Sequence, residues 1–238
     1  MGIGQLYVDA ATQLGWEIET VDIAPDKGAT YTEIPTDKEY DLAIICTPNF
    51  LHKECLDKAL VVSKRVLVEK PGLQTRELWN EYVQHHPARV FMVKNNCYRD
   101  LFYGMGLNFE NIAFISINWI NKDRVPKPGS WFTNKELAFG GVSRDLLPHL
   151  IQVAIALTRY DLKNLEFIEG HKEQRYTLDD IESSSYGTID KGGVYNVDDQ
   201  CQANFMYKHV AVGCNAAWKS DVEKDVVEWE ICFLGDLS

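Results

Sequence analysis

Long apolar runs are missing from this 238-residue sequence. The longest, around Leu42–Cys46 and Leu150–Leu157, fall well short of the roughly 18 residues that cross a membrane, and they read as core segments. A basic start followed by an apolar stretch is missing too. The opening MGIGQLYVDAATQLGWE has neither, which predicts no secretory signal. Positive charge is scarce: 24 lysines and arginines face 35 aspartates and glutamates, for a net charge of -11. A nucleic-acid-binding surface needs a basic field, so that partner class is not expected. An anionic cofactor stays allowed, because backbone N–H groups at a helix N-terminus hold phosphate locally. Paired cysteines are also missing. Cys46, Cys55, Cys97, Cys201, Cys214 and Cys232 include no CxxC. They read as reduced, mostly buried thiols of a cytoplasmic protein, with no disulfide and no metal site.

What is present is an ordinary globular composition, 45% hydrophobic and 25% charged. The first part alternates helix-like and strand-like stretches. Helices are expected over Gly4–Leu14, Phe50–Ala59 and Leu73–Val83. Strands are expected over Trp16–Ile23, Asp41–Cys46, Arg65–Glu69 and Val90–Val93. That alternation predicts right-handed crossovers and a parallel, Rossmann-like sheet. The second part differs. A long strand over Asn111–Ile120 precedes a Pro- and Gly-containing loop, Asp123–Ser130, and a helix over Gly141–Thr158. Extended stretches follow at Leu165–Glu169, Gln202–Tyr207, Val210–Trp218 and Val226–Phe233, with a loop over Asp179–Val197. Their alternation predicts a mostly antiparallel sheet with one solvated face. The fold class is therefore α/β with a C-terminal α+β domain, divided as 1–97 and 98–238.

Three blocks carry chemistry. DLAIICTPNFLHKECLDKALVVSKRVLVEKPG, Asp41 to Gly72, ends one strand in Thr47-Pro48-Asn49, has His52 three residues on, and ends the next strand in Glu69-Lys70-Pro71. Open α/β sheets bind ligands at such carboxyl ends. Alone, the first turn reads better as a plain strand-to-helix turn with Asn49 as a cap; the second block beside it favours the ligand reading. GGVSRDLLPHL, Gly140 to Leu150, puts Asp145 and His149 four apart on one helix face. A histidine titrates near neutrality and suits a base for an alcohol proton; a neighbouring carboxylate would orient it. NVDDQCQANFMYKHVAVGCNAAWKS supplies the late strands.

Together with Trp131-Phe132, these blocks resemble the glucose-fructose oxidoreductase / inositol dehydrogenase / rhizopine-catabolism (Gfo/Idh/MocA) family over nearly the whole chain. The resemblance implies an NAD(P)-dependent oxidoreductase that moves a hydride between a nicotinamide cofactor and a sugar, sugar nucleotide or polyol. It implies a catalytic trio of Lys70, Asp145 and His149, and a cis peptide before Pro71 that aims Lys70 into the cleft. It places Thr47, Pro48, Asn49, His52, Glu69 and Lys70 on the cofactor. Substrate contacts are expected from Lys70, Arg99, Trp131, Asp145 and His149, with Trp119, Asn121 and Arg124 as further candidates. The small-molecule substrate would be a sugar or polyol, and the family tends to form homo-oligomers through the open sheet face.

The sequence departs from that pattern at its start. No strand runs into GxGxxG; Met1-Gly2-Ile3-Gly4-Gln5 looks like the tail of such a loop, with Gly2, Gly4 and Gln5 as a partial phosphate cradle. An internal methionine start, a minimal natural version, or a partner chain filling the gap are the alternatives. Asp22, at the end of the expected strand Glu17–Val21, is placed to hold ribose hydroxyls and favours NAD over NADP; it reads equally as a strand-ending turn. Two other functions stay open: a non-catalytic ligand-binding or regulatory member, and a biliverdin-reductase-like enzyme.

Overall fold

The computed structural model describes residues 2–98 and 106–237. The chain divides into two compact units, residues 1–93 and 94–238. Arg99 lies outside the described residues.

In the first unit, helix α1 spans Ile3–Gln13. Strand β1, Tyr40–Ile45, pairs in parallel with β2, Ser63–Val68, which pairs in parallel with β3, Val90–Met92. Helices α2, His52–Val62, and α3, Arg76–His85, are the crossovers. Leu56, Ala59, Val66, Val68, Leu73 and Val90 form the core between α2 and the sheet. Helix α3 starts three residues later than the apolar pattern suggests, because Thr75 caps it: its hydroxyl accepts from the Leu78 N–H at 3.2 Å.

The strand expected over Trp16–Ile23 does not form. Only a bridge between Val21 and Tyr31 remains, and Ile23 is 82% exposed. The segment is held instead by exposed side chains, with Lys38, Tyr40 and Tyr31 all donating to the Glu19 carboxylate. The reason is non-local. A strand persists only where a neighbour takes its backbone groups. Among the described residues nothing pairs with β1 on the side away from β2, so no strand bridges β1 to residues 16–23.

The second unit is a five-stranded sheet in the order β5-β6-β7-β4-β8. The strands are β4 Ile112–Ile120, β5 Leu165–Glu173, β6 Gln200–Tyr207, β7 Val210–Ala217 and β8 Val226–Phe233. All neighbours are antiparallel except β4 and β7, which are parallel. One face is apolar: Ile115, Ile117, Val212, Cys214 and Ala203 pack with Leu150, Val153, Ala154 and Leu157. The other face is polar. Its central row, His171, Gln202, Asn215, Asn118 and Glu228, crosses all five strands, and Asn215 donates to the Asn118 side chain at 2.8 Å.

Short helix α4, Lys135–Ala138, is followed by α5, Val142–Asp145, and α6, Leu147–Leu157. The single helix expected over Gly141–Thr158 is thus two. Pro148 explains the break: it has no N–H for the carbonyl four residues back and favours the first turn of a new helix. Among the described residues no helix is long and apolar enough to cross a membrane. Among the described residues, Cys46, Cys55, Cys201, Cys214 and Cys232 form no disulfide. Burial pushes Cys46 and Cys214 up to about 12, so little thiolate exists at neutral pH.

Candidate functional site

The site elements of the first unit gather at the carboxyl ends of β1 and β2. The ladder closes with Ile45 opposite Val68 and with the Glu69 N–H on the Ile45 carbonyl at 3.0 Å. Beyond it come two turns, Thr47-Pro48-Asn49 and Glu69-Lys70-Pro71-Gly72. The Lys70–Pro71 peptide is cis, as the resemblance implies. The Gly72 N–H returns to the Glu69 carbonyl at 3.0 Å, with Gly72 at φ +78, where a side chain would press on Met92 and Trp79.

Two buried polar side chains hold these turns. Glu69 accepts from the Tyr7 hydroxyl at 2.6 Å and from the Lys70 N–H at 3.0 Å. His52, 1% exposed, sets Nδ1 2.7 Å from the Gly72 carbonyl oxygen and Nε2 2.9 Å from that of Thr47. Burial lowers the His52 pKa, against the pull of the two carbonyls and of Glu69. Burial, then the hydrogen bond to Glu69, drives the Tyr7 phenol well above its ordinary value. Tyr7 escaped the sequence reading, since its partner lies 62 residues away. Tyr7→Phe is expected to leave a Glu69 oxygen without its donor and to cost the first unit about 1–2 kcal/mol, read as a lower thermal midpoint.

The amino end of α1 belongs to the same unit. Gly2 precedes the helix without a side-chain cap, and no acidic residue lies in the first turn. A Cβ on Gly2 would meet nothing within 4 Å, and one on Gly4 would lie 3.8 Å from the Cys46 Cβ. Uncapped N–H groups, small residues and no negative charge suit a phosphate. Gln5 instead turns its side chain to Asp9, at 2.9 Å. Asp22 stands exposed after no strand, and its carboxylate accepts from the Ala24 N–H at 2.9 Å, the turn alternative.

In the second unit, Asp145 ends α5 and His149 lies in the first turn of α6. The Trp218 indole donates to Asp145 Oδ2 at 2.9 Å, and the His149 and Trp119 rings lie 6.1 Å apart. Trp218, 1% exposed, was read only as part of a strand; a buried indole N–H needs an acceptor, and Asp145 is it. Tyr186, also unforeseen, has its phenol pKa raised by burial and then by the Asp145 charge. Its ring meets Phe132 edge-on at 5.6 Å, and Phe132 lies 4.1 Å from Trp131. Asn121 is buried with Oδ1 lacking a protein partner, while Arg124 pairs with Asp225 at 3.3 Å on the surface.

Gly140-Gly141 serves backbone packing. The Val142 N–H donates to the Asp198 carbonyl at 2.8 Å, and the Asp198 carboxylate accepts from Gly141 and Ser143 at 3.2 and 2.7 Å. Leu147 packs in the core of this unit.

Residues 8–93 match the family model described as GFO_IDH_MocA, oxidoreductase family, NAD-binding Rossmann fold. A curated relative from Amycolatopsis mediterranei (strain S699), "Putative UDP-kanosamine synthase oxidoreductase subunit", is 30% identical over 125 residues, 49% of this chain and 34% of the relative. Among solved structures, the WlbA dehydrogenase from Bordetella pertussis, in complex with NADH and UDP-GlcNAcA, aligns with TM-score 0.71 and 16% identity, over 98% of this chain and 68% of that one. Levoglucosan dehydrogenase, in complex with NADH and levoglucosan, aligns with TM-score 0.62 and 18% identity, over 98% of this chain and 60% of that one. At such identities the structural likeness is one of fold. The chain spans about a third of the curated relative's length and 60% of the levoglucosan dehydrogenase chain. The likeness to the Gfo/Idh/MocA oxidoreductase family, with its NAD-binding Rossmann fold, thus covers residues 8–93, which carry both strand-end turns.

Proposed function

We propose that this chain works as an NAD-dependent oxidoreductase on a hydroxyl or keto group of a sugar, sugar nucleotide or polyol. The observation that carries the reading is the Glu69-Lys70-Pro71 turn, braced by Glu69 and His52, beside the Thr47 turn in a family-matched Rossmann unit. The uncapped start of α1 with Gly2 and Gly4 would hold the cofactor's phosphates, and Thr47, Pro48 and Asn49 would flank it. When bound, NAD supplies the hydride acceptor or donor.

The chain's own residues handle the proton. The Lys70 ammonium donates a hydrogen bond to the reacting oxygen and lowers the cost of negative charge there. His149 takes the hydroxyl proton in the oxidation direction and returns it in the reverse direction. Asp145, oriented by the Trp218 indole, favours the charged imidazole. Trp131 offers an apolar face to the sugar. The ligands bound in the two similar structures, UDP-GlcNAcA and levoglucosan, favour a sugar or a sugar nucleotide over a tetrapyrrole.

Titration of the chain with NADH, followed by quenching of tryptophan fluorescence, tests the reading. Saturable quenching at micromolar NADH is expected. No quenching at millimolar NADH would overturn it.

A further inference from the structure

We propose that His52 is a positioning residue, a cross-link that holds the Thr47 turn and the Lys70 turn as one piece and acts on the reaction through their backbone carbonyls. The role assigned to those turns rests on the function proposed above. The geometry of His52 does not.

Beyond Ile45 and Val68 the parallel ladder ends, and the two chains leave the sheet in separate turns. The Glu69 N–H on the Ile45 carbonyl is the last backbone hydrogen bond between them. The next connection is the imidazole. His52 opens α2 and has each ring nitrogen on a different turn: Gly72 at 2.7 Å, Thr47 at 2.9 Å. Carbonyl oxygens only accept, so the ring must bring the protons. A charged ring donates to both carbonyls at once; the neutral ring, which burial favours here, donates to one and can reach the other by exchange of tautomer.

Both carbonyls are well placed to transmit this hold. Thr47 precedes Pro48, whose carbonyl takes the Leu51 N–H at 2.9 Å to close the first turn. Gly72 closes the second turn onto Glu69, and Lys70 lies inside that turn. The ring itself is 1% exposed. A group so enclosed, with both nitrogens already engaged by the protein, is suited to shaping the site from behind rather than to touching a cofactor.

The test compares His52→Phe and His52→Gln with the unaltered chain. Phenylalanine fills the space without a donor; glutamine keeps an amide donor. Two quantities are read: NADH affinity by tryptophan quenching, and amide hydrogen exchange at Leu51, Gly72 and Val66. In His52→Phe, NADH affinity is expected to fall about 10-fold. The Leu51 and Gly72 amides are expected to lose protection together, while Val66, bonded to the Arg89 carbonyl within the sheet, keeps its own. His52→Gln is expected to recover part of both. Unchanged protection at Leu51 and Gly72 in His52→Phe would overturn the cross-link. Loss at all three amides alike would also overturn it, by making His52 a general core residue. Loss confined to the two turns with NADH affinity unchanged would overturn its role in binding. If the unaltered chain itself does not bind NADH, the functional reading fails, and the exchange pattern still decides the cross-link.

Discussion

Gly141→Ala is expected to destabilise the second unit by about 3 kcal/mol or more. A methyl group there would stand 1.8 Å from the Asp198 carbonyl oxygen, 2.8 Å from its carbon and 2.9 Å from the Val197 Cβ. The obstacle is backbone and cannot swing aside as a flexible side chain would. Moving the two segments apart would stretch three hydrogen bonds at once, those of Gly141, Val142 and Ser143 with Asp198. Val197 is 2% exposed and belongs to the core, so the shift would open that as well. Urea unfolding measures the effect. A loss below about 1 kcal/mol would mean that α5 and the segment before β6 slide past each other easily.

Lys70→Met is expected to lower turnover of the sugar substrate by about 100-fold or more, while NADH affinity stays within a few-fold. Methionine keeps much of the apolar stem and removes the charge. The Glu69 carboxylate holds the Lys70 backbone N–H, so the turn itself does not depend on the ammonium. His149→Ala is expected to act in the same direction, and a base role makes the loss smallest at acid pH, because only the neutral imidazole can take the hydroxyl proton. Steady-state rates with NAD across pH, on a panel of UDP-sugars and free polyols, measure both. Turnover insensitive to Lys70→Met would remove the lysine from the chemistry. A chain that binds NADH but turns over nothing on that panel would instead favour a ligand-binding or regulatory member.

Much of the fold was legible in the sequence because it rests on local pattern. The alternation in Val226–Phe233 marks β8 at both ends. Thr47-Pro48-Asn49 and Glu69-Lys70-Pro71 stand at strand ends because strand-to-turn transitions are written in short runs of residues. The division of α5 from α6 was not foreseen, although Pro148 marks it, and it separates Asp145 from His149 by a helix break where a continuous face was expected. Cofactor and substrate roles were legible only through family likeness. The residues that brace those roles were not, because their partners are distant: Tyr7 on Glu69, Trp218 on Asp145, Asp198 on Gly141.

By itself, then, the sequence determined the two-part α/β architecture and the positions of the strand-end turns. Each of these depends on periodicity or on neighbours a few positions apart. Tertiary structure decided the rest. It left residues 16–23 without a strand, because pairing needs a neighbour that β1 does not provide. It set Gly141 against the Asp198 backbone, a contact between segments far apart in the chain. It also enclosed His52 between two carbonyls, since a side chain's partners are set by what the chain folds against it, and that contact exists only once the sheet is built.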